Sequence, residues 1–163
     1  FLLTFQTYLR MLRSEKYAAK RQKRIKKERT MASGIMEEID FSKIEQKFGN
    51  ATIAVVDIRK SAILEKRSYY DAARYAWKNK EDKIKTAKFV LAKLNGTIVD
   101  AFEVENWMKA SYKNFGLLYH KEDEGRFGFV GYRADEAFCD LVIGKRLPEE
   151  YRNQNQRYIY LEG

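Results

Sequence analysis

At 163 residues, with 45% hydrophobic residues and a single proline, the chain has room for one packed domain plus an appendage and is not a low-complexity polymer. One cysteine (Cys139) and one histidine (His120) exclude an internal disulfide framework and a structural zinc set, and they fit a reducing, cytoplasmic setting. The net charge of +9 is unevenly placed: residues 1–29 hold ten lysines and arginines against Glu15 and Glu28, whereas the rest holds 22 basic against 21 acidic residues. The body therefore lacks the uniform basic footprint of a dedicated nucleic-acid-binding domain.

The chain opens on Phe1 rather than methionine, as a processed chain or a fragment would, and Phe1-Leu2-Leu3-Thr4-Phe5 is compatible with the tail of a longer apolar segment. No apolar run is long enough to span a bilayer. Phe1, Phe5, Tyr8 and Leu12 recur at helical spacing, so residues 1–29 read as a helical arm. Its second half carries Lys20, Arg21, Lys23, Arg24, Lys26 and Lys27, whose mutual repulsion calls for an anionic partner. Three settings suit such an arm: solvent, the phosphates of RNA or DNA, and an anionic membrane surface.

Thr30 to Gly34 marks the end of the arm, and residues 30–50 read as a linker and a short helix near Met36–Phe48. Residues 51–163 form the expected α+β domain. Thr52–Ile58 is a β-branched run and the first strand. Ser68, with Asp71 three positions on, is an N-cap opening a helix from Tyr69 to about Lys80. On that helix Tyr69, Ala73, Ala76 and Trp77 share a stripe.

The centre of the domain is Lys88 to Glu103, in which two apolar runs flank Asn95-Gly96. Asn-Gly is the strongest short-range hairpin signal, because both central residues of a type I′ turn need positive φ. A two-residue loop pairs Leu94 with Thr97, Ala92 with Val99, Val90 with Ala101 and Lys88 with Glu103. Neither face is cleanly polar, so the hairpin is expected to be covered on both sides or curled into a partly closed barrel. Beyond it the pattern predicts a short helix over 104–110 carrying Trp107, a loop over 112–124, a strand over 126–130 and a helix over 134–141. A final strand over 157–161 alternates as an antiparallel edge or barrel-closing strand would.

No catalytic motif emerges. Gly125, Gly128 and Gly131 match neither a dinucleotide fingerprint nor a phosphate loop, and Gly144-Lys145 lacks the upstream glycine and the following Ser or Thr. His120 has no partner at metal spacing, and Cys139 beside Phe138 reads as a buried small hydrophobe. Asp100, Glu103 and Glu105 lack the lysine two residues on that often accompanies metallonuclease carboxylates. No metal or cofactor is expected.

The constellation with binding chemistry is basic and aromatic: Arg67, Tyr70, Arg74, Trp77 and Lys78 around one helix, with Lys145, Arg146, Arg152 and Arg157 near the C-terminus. Rings stack on unpaired bases while guanidinium groups hold phosphates. The competing reading makes Trp77 and a tyrosine core residues and pairs the arginines with acids such as Glu149 and Glu150.

Tyr70–Trp77, Ala87–Ala92, Gly96–Phe102, Trp107 and Gly125–Gly131 together resemble a small uncharacterised domain of bacterial and phage proteins, similar to PUA- and ASCH-like barrels. The resemblance covers residues 51–161 and not the arm. It implies a class that binds RNA or modified bases, and it carries no catalytic motif. The sequence thus points first to a nucleic-acid-binding module in which the arm supplies phosphate affinity and the body reads unpaired or modified bases. A structural subunit docking a protein partner through residues 1–12 is the first alternative. An enzyme acting on nucleic acid or a nucleotide through the Arg67–Lys78 helix is the second.

Overall fold

In a computed structural model of the chain, which describes residues 34, 36–153 and 156–161, Asn95 and Gly96 both take positive φ, at 51° and 82°. They join β3 (Ala87–Leu94) to β4 (Thr97–Lys109), the two middle strands of a six-stranded mixed sheet. The other strands are β1 (Ala51–Asp57), β2 (Tyr75–Trp77), β5 (Phe127–Arg133) and β6 (Gln156–Leu161), in the order β2-β5-β4-β3-β1-β6. The sheet curls into a half-barrel, and the fold is α+β. β1 and β3 are parallel and every other pair is antiparallel. A parallel pair needs a long crossover, and residues 58–86 supply it. The chain divides into two compact units between Glu37 and Glu38, and all these strands belong to the second.

Both faces of the hairpin are covered, as its lack of a polar face requires. On one face lie α1 (Phe41–Phe48) and α5 (Glu136–Val142), whose Ile44, Phe138 and Val142 pack with Phe89, Leu91 and Ile98. The Phe89 and Phe138 rings stack at 4.2 Å. On the other face α2 (Tyr69–Arg74) and the short α3 (Glu81–Ile84) bring Ala72, Ala73 and Ile84 onto Val90, Ala92 and Phe102, with Trp77 and Trp107 between them. Ser68 caps α2 as expected, its hydroxyl accepting from the Asp71 amide at 3.1 Å.

Four expectations need correction. The predicted hairpin register holds for Leu94–Thr97 and then shifts, because Val99 is an extra residue: Ala92 faces Asp100, Val90 faces Phe102 and Phe89, not Lys88, faces Glu103. That bulge sends Ala101 to the Phe138 side and Phe102 to the Trp107 side. The helix expected over 104–110 is absent and residues 104–109 continue β4, because a second bulge at Glu105 spaces Val104 and Trp107 three apart on one face and so imitates helical periodicity. The helix predicted to run to Lys80 ends at Arg74, where Tyr75 turns extended (φ −144°) and pairs with Gly128. The loop predicted over 112–124 contains α4 (Tyr112–Phe115) and two 3-10 turns.

Candidate nucleic-acid interface

The helix-borne constellation is built into the core. Trp77 is 1% exposed, donates its indole N–H to the Ala73 carbonyl at 2.7 Å and meets Trp107 edge-on at 5.6 Å, so no base can stack on it. Arg74 Nε lies 2.8 Å from Asp71 Oδ1, and its guanidinium sits over the rings of Tyr70 and Phe115 at 5.0 and 5.5 Å. The Tyr70 hydroxyl accepts from the Gly131 amide at 3.0 Å. Arg67 is drawn to Glu65 at 3.0 Å. Of this group Lys78 is exposed.

The C-terminal arginines serve a local clamp. Arg146 and Arg152 both reach Glu38 Oε1, Arg146 at 3.2 Å, and Arg152 Nε donates to the Leu147 carbonyl at 2.8 Å. Their partner is thus Glu38 and not the expected Glu149 or Glu150. The Lys145 carbonyl accepts from the Ile98 amide at 2.8 Å, fastening this loop to the hairpin. Arg157 pairs through its backbone with Val55, and its side chain lies outside the described part. Lys20, Arg21, Lys23, Arg24, Lys26 and Lys27 lie outside the described residues, as does the candidate docking stripe of residues 1–12.

What the tertiary structure assembles instead is a pair of open grooves at one end of the sheet. The first, about 500 Å³, lies where β1 and β3 begin and β6 ends, between Asn50, Thr52, Thr86, Lys88 and Tyr160. The second, about 420 Å³, shares Thr86 and Lys88 and continues past Lys85 to Glu105 and Asn106 on β4. It exists because β4 runs on beyond the start of β3, and the bulge places Glu105 at its wall.

Residues 78–88, which lead into β3, carry five lysines against Glu81 and Asp82, and of these Lys85 and Lys88 line the grooves. All five lysines are exposed. Lys85 lies 2.6 Å from Glu81 Oε1 and holds that carboxyl below its usual range, with Lys109 adding to the pull. Tyr160 is 50% exposed and directly opposite Thr52. The result is a pair of cations, Lys85 and Lys88, with amide and hydroxyl groups and one exposed ring beside them. Lysines suit phosphate oxygens, amides suit base edges and a tyrosine suits a base face.

The closely spaced Lys78, Lys80, Lys83, Lys85 and Lys88 are plain in the sequence, but the expected pairing of Lys88 with Glu103 gives it a ladder role in place of a binding one. Tyr160 stands out there only as an alternating strand residue. Nothing local announces that Thr52, Lys88 and Asn106 meet.

Asp100, Cys139 and His120 have structural roles. Asp100 Oδ1 accepts from Arg133 Nε and from the Ala101 amide, both at 3.0 Å. Cys139 is buried, its thiol donates to the Ala134 carbonyl at 3.3 Å, and burial pushes its pKa up. Among the described residues no three His, Cys, Asp or Glu side chains gather as a metal site would require. His120 caps a 3-10 turn whose Asp123 accepts the Tyr75 hydroxyl at 2.9 Å.

Burial, and then the Asp123 carboxylate, push the Tyr75 pKa from 10.0 to about 12. An acid whose folded pKa is raised favours the fold while protonated, so stability is to fall as pH rises from about 10 to about 12. In urea titrations across that range Tyr75→Phe is expected to show a flatter loss than the parent. An equal slope would mean that Tyr75 is not the group responsible.

Among the described residues no helix is long and apolar enough to cross a membrane. Compared with known proteins, the chain matches no protein-family model, no curated protein and no solved structure.

Proposed function

We propose that this protein is a nucleic-acid-binding module whose groove at the start of β1 and β3 holds a strand, with lysines on its phosphates and Tyr160 against an unstacked base. The observation that carries the reading is the continuity of the two grooves through Thr86 and Lys88, with the exposed Lys85 and Lys88 in their lining. The local excess of lysine over residues 78–88 and the resemblance to PUA- and ASCH-like barrels support it. The grooves are wide and shallow rather than enclosed, which fits a polymer tracked along its backbone better than a sequestered small molecule.

Replacing Lys83, Lys85 and Lys88 together with glutamine in the full chain is the test. Fluorescence anisotropy with labelled single-stranded oligonucleotides across a salt series is expected to show roughly tenfold weaker binding. The log–log salt slope should be shallower by about 2, near 0.7 for each phosphate no longer neutralised. Tyr160→Ala should also weaken binding about tenfold or more but leave the slope intact, since stacking releases no counterions. Unchanged affinity and slope in the lysine variant would refute the groove as the interface.

A further inference from the structure

Residues 59–67 leave the far end of β1 and line neither groove, and of them Ala62 packs on the core. A five-residue π-helical turn, Lys60–Leu64, holds no buried residue. Ile63 and Leu64 are 50% and 75% exposed at its end. Arg59 and Lys60 precede them and Lys66 and Arg67 follow, while the one acid between, Glu65, is occupied by Arg67 at 3.0 Å. A pair of aliphatic tips is therefore offered to solvent beside the exposed cations Arg59, Lys60 and Lys66.

We propose that Ile63 and Leu64 form a wedge that enters a base step of duplex DNA while the flanking cations straddle the two phosphate strands; this rests on the nucleic-acid reading above and specifies its substrate as a duplex opened at the wedged step as well as at the base against Tyr160. Aliphatic side chains inserted between bases, next to Arg and Lys, are the usual means of kinking DNA from the minor groove. Charge complementarity selects a polyanion, and in nucleic acid apolar tips find an apolar surface where bases are unstacked.

The position of the turn agrees. Ala62 and Tyr158 pack on the same core cluster, and Tyr160, two residues along β6, shares the face of Tyr158 by the two-residue strand period. Wedge and groove thus occupy one side of the sheet at opposite ends of the seven-residue β1. That separation is roughly 23 Å at about 3.3 Å per residue, or about seven base pairs at ~3.4 Å each. One bent duplex running along β6 touches both. A protein partner is a poorer fit, because nine residues of a protruding turn are far from the ~800 Å² per side of a stable interface.

The test uses the full chain and a DNA duplex carrying 2-aminopurine beside a flexible TA step. The parent protein is expected to raise the probe's fluorescence severalfold as the step opens. The double variant Ile63→Ser/Leu64→Ser, altered only at exposed positions, should bind within about threefold of the parent and abolish the rise. A bound duplex without a rise, or a rise that persists in the double variant, overturns the wedge and leaves the groove reading standing. No binding to duplex or single strand overturns both. Parent binding to phosphatidylserine vesicles that is lost in the double variant, with the duplex signal unchanged, would assign the pair to a bilayer and overturn the wedge.

Discussion

Trp77→Ala is expected to cost about 3–5 kcal/mol of stability, the usual range for removing a fully buried tryptophan. The indole bridges α2 and β2 through its hydrogen bond to Ala73 and fills the space between Trp107 and Tyr158. Truncation leaves both a cavity and an orphaned carbonyl. Trp77→Phe keeps most of the volume and loses only the donor, so its cost should be near 1–2 kcal/mol. Urea denaturation followed by near-UV circular dichroism measures both. The same pair separates core from site: a base-stacking platform would tolerate alanine in the fold and lose affinity instead. Stability within about 1 kcal/mol of the parent, together with weakened oligonucleotide binding, would return Trp77 to the interface.

Gly131→Ala is the second large effect, about 3 kcal/mol or more, at the upper end of what overpacking costs. β5 approaches β4 so closely here that a Cβ on Gly131 would run into the Glu103 carbonyl, with Val104 Cα 3.2 Å away. Both are backbone atoms of a central strand, so neither yields without opening the β4–β5 ladder. The Gly131 amide is also the donor to Tyr70, whose ring packs edge-on against Phe102 and Phe129. Displacing β5 therefore loosens α2 as well. A thermal midpoint lowered by roughly 10 °C or more is expected. A shift of a degree or two would show that the strands can separate at little cost.

These two residues also explain why the chain resisted a functional reading. The aromatic and glycine positions that stand out most in the sequence, Trp77, Trp107, Gly128 and Gly131, are needed for close packing of a curled sheet. Its conspicuous arginines are consumed by Asp71, Glu65 and Glu38. The groove rests instead on lysines and small polar residues of ordinary appearance. A near-neutral body is compatible with such a site because its charges are separated. Five of its lysines lie within residues 78–88, while Asp135, Glu136 and Asp140 gather on and beside α5.

Features governed by neighbours in the chain were legible from the residues alone. Asn95-Gly96 placed the hairpin, the β-branched run placed β1, Ser68 placed the start of α2, and the two-sided apolar pattern required cover on both faces of a partly closed sheet. Each follows from backbone sterics, a local hydrogen bond or a short period. Tertiary structure alone decided the rest. The bulges at Val99 and Glu105 depend on how β4 must bend to pair with β3 and β5 at once, and they reset every face assignment beyond them. The end of α2 at Arg74 depends on β5 being available to pair with Tyr75. The juxtaposition of Thr52, Lys88, Asn106 and Tyr160 depends on strand order, which places segments over a hundred residues apart along one edge.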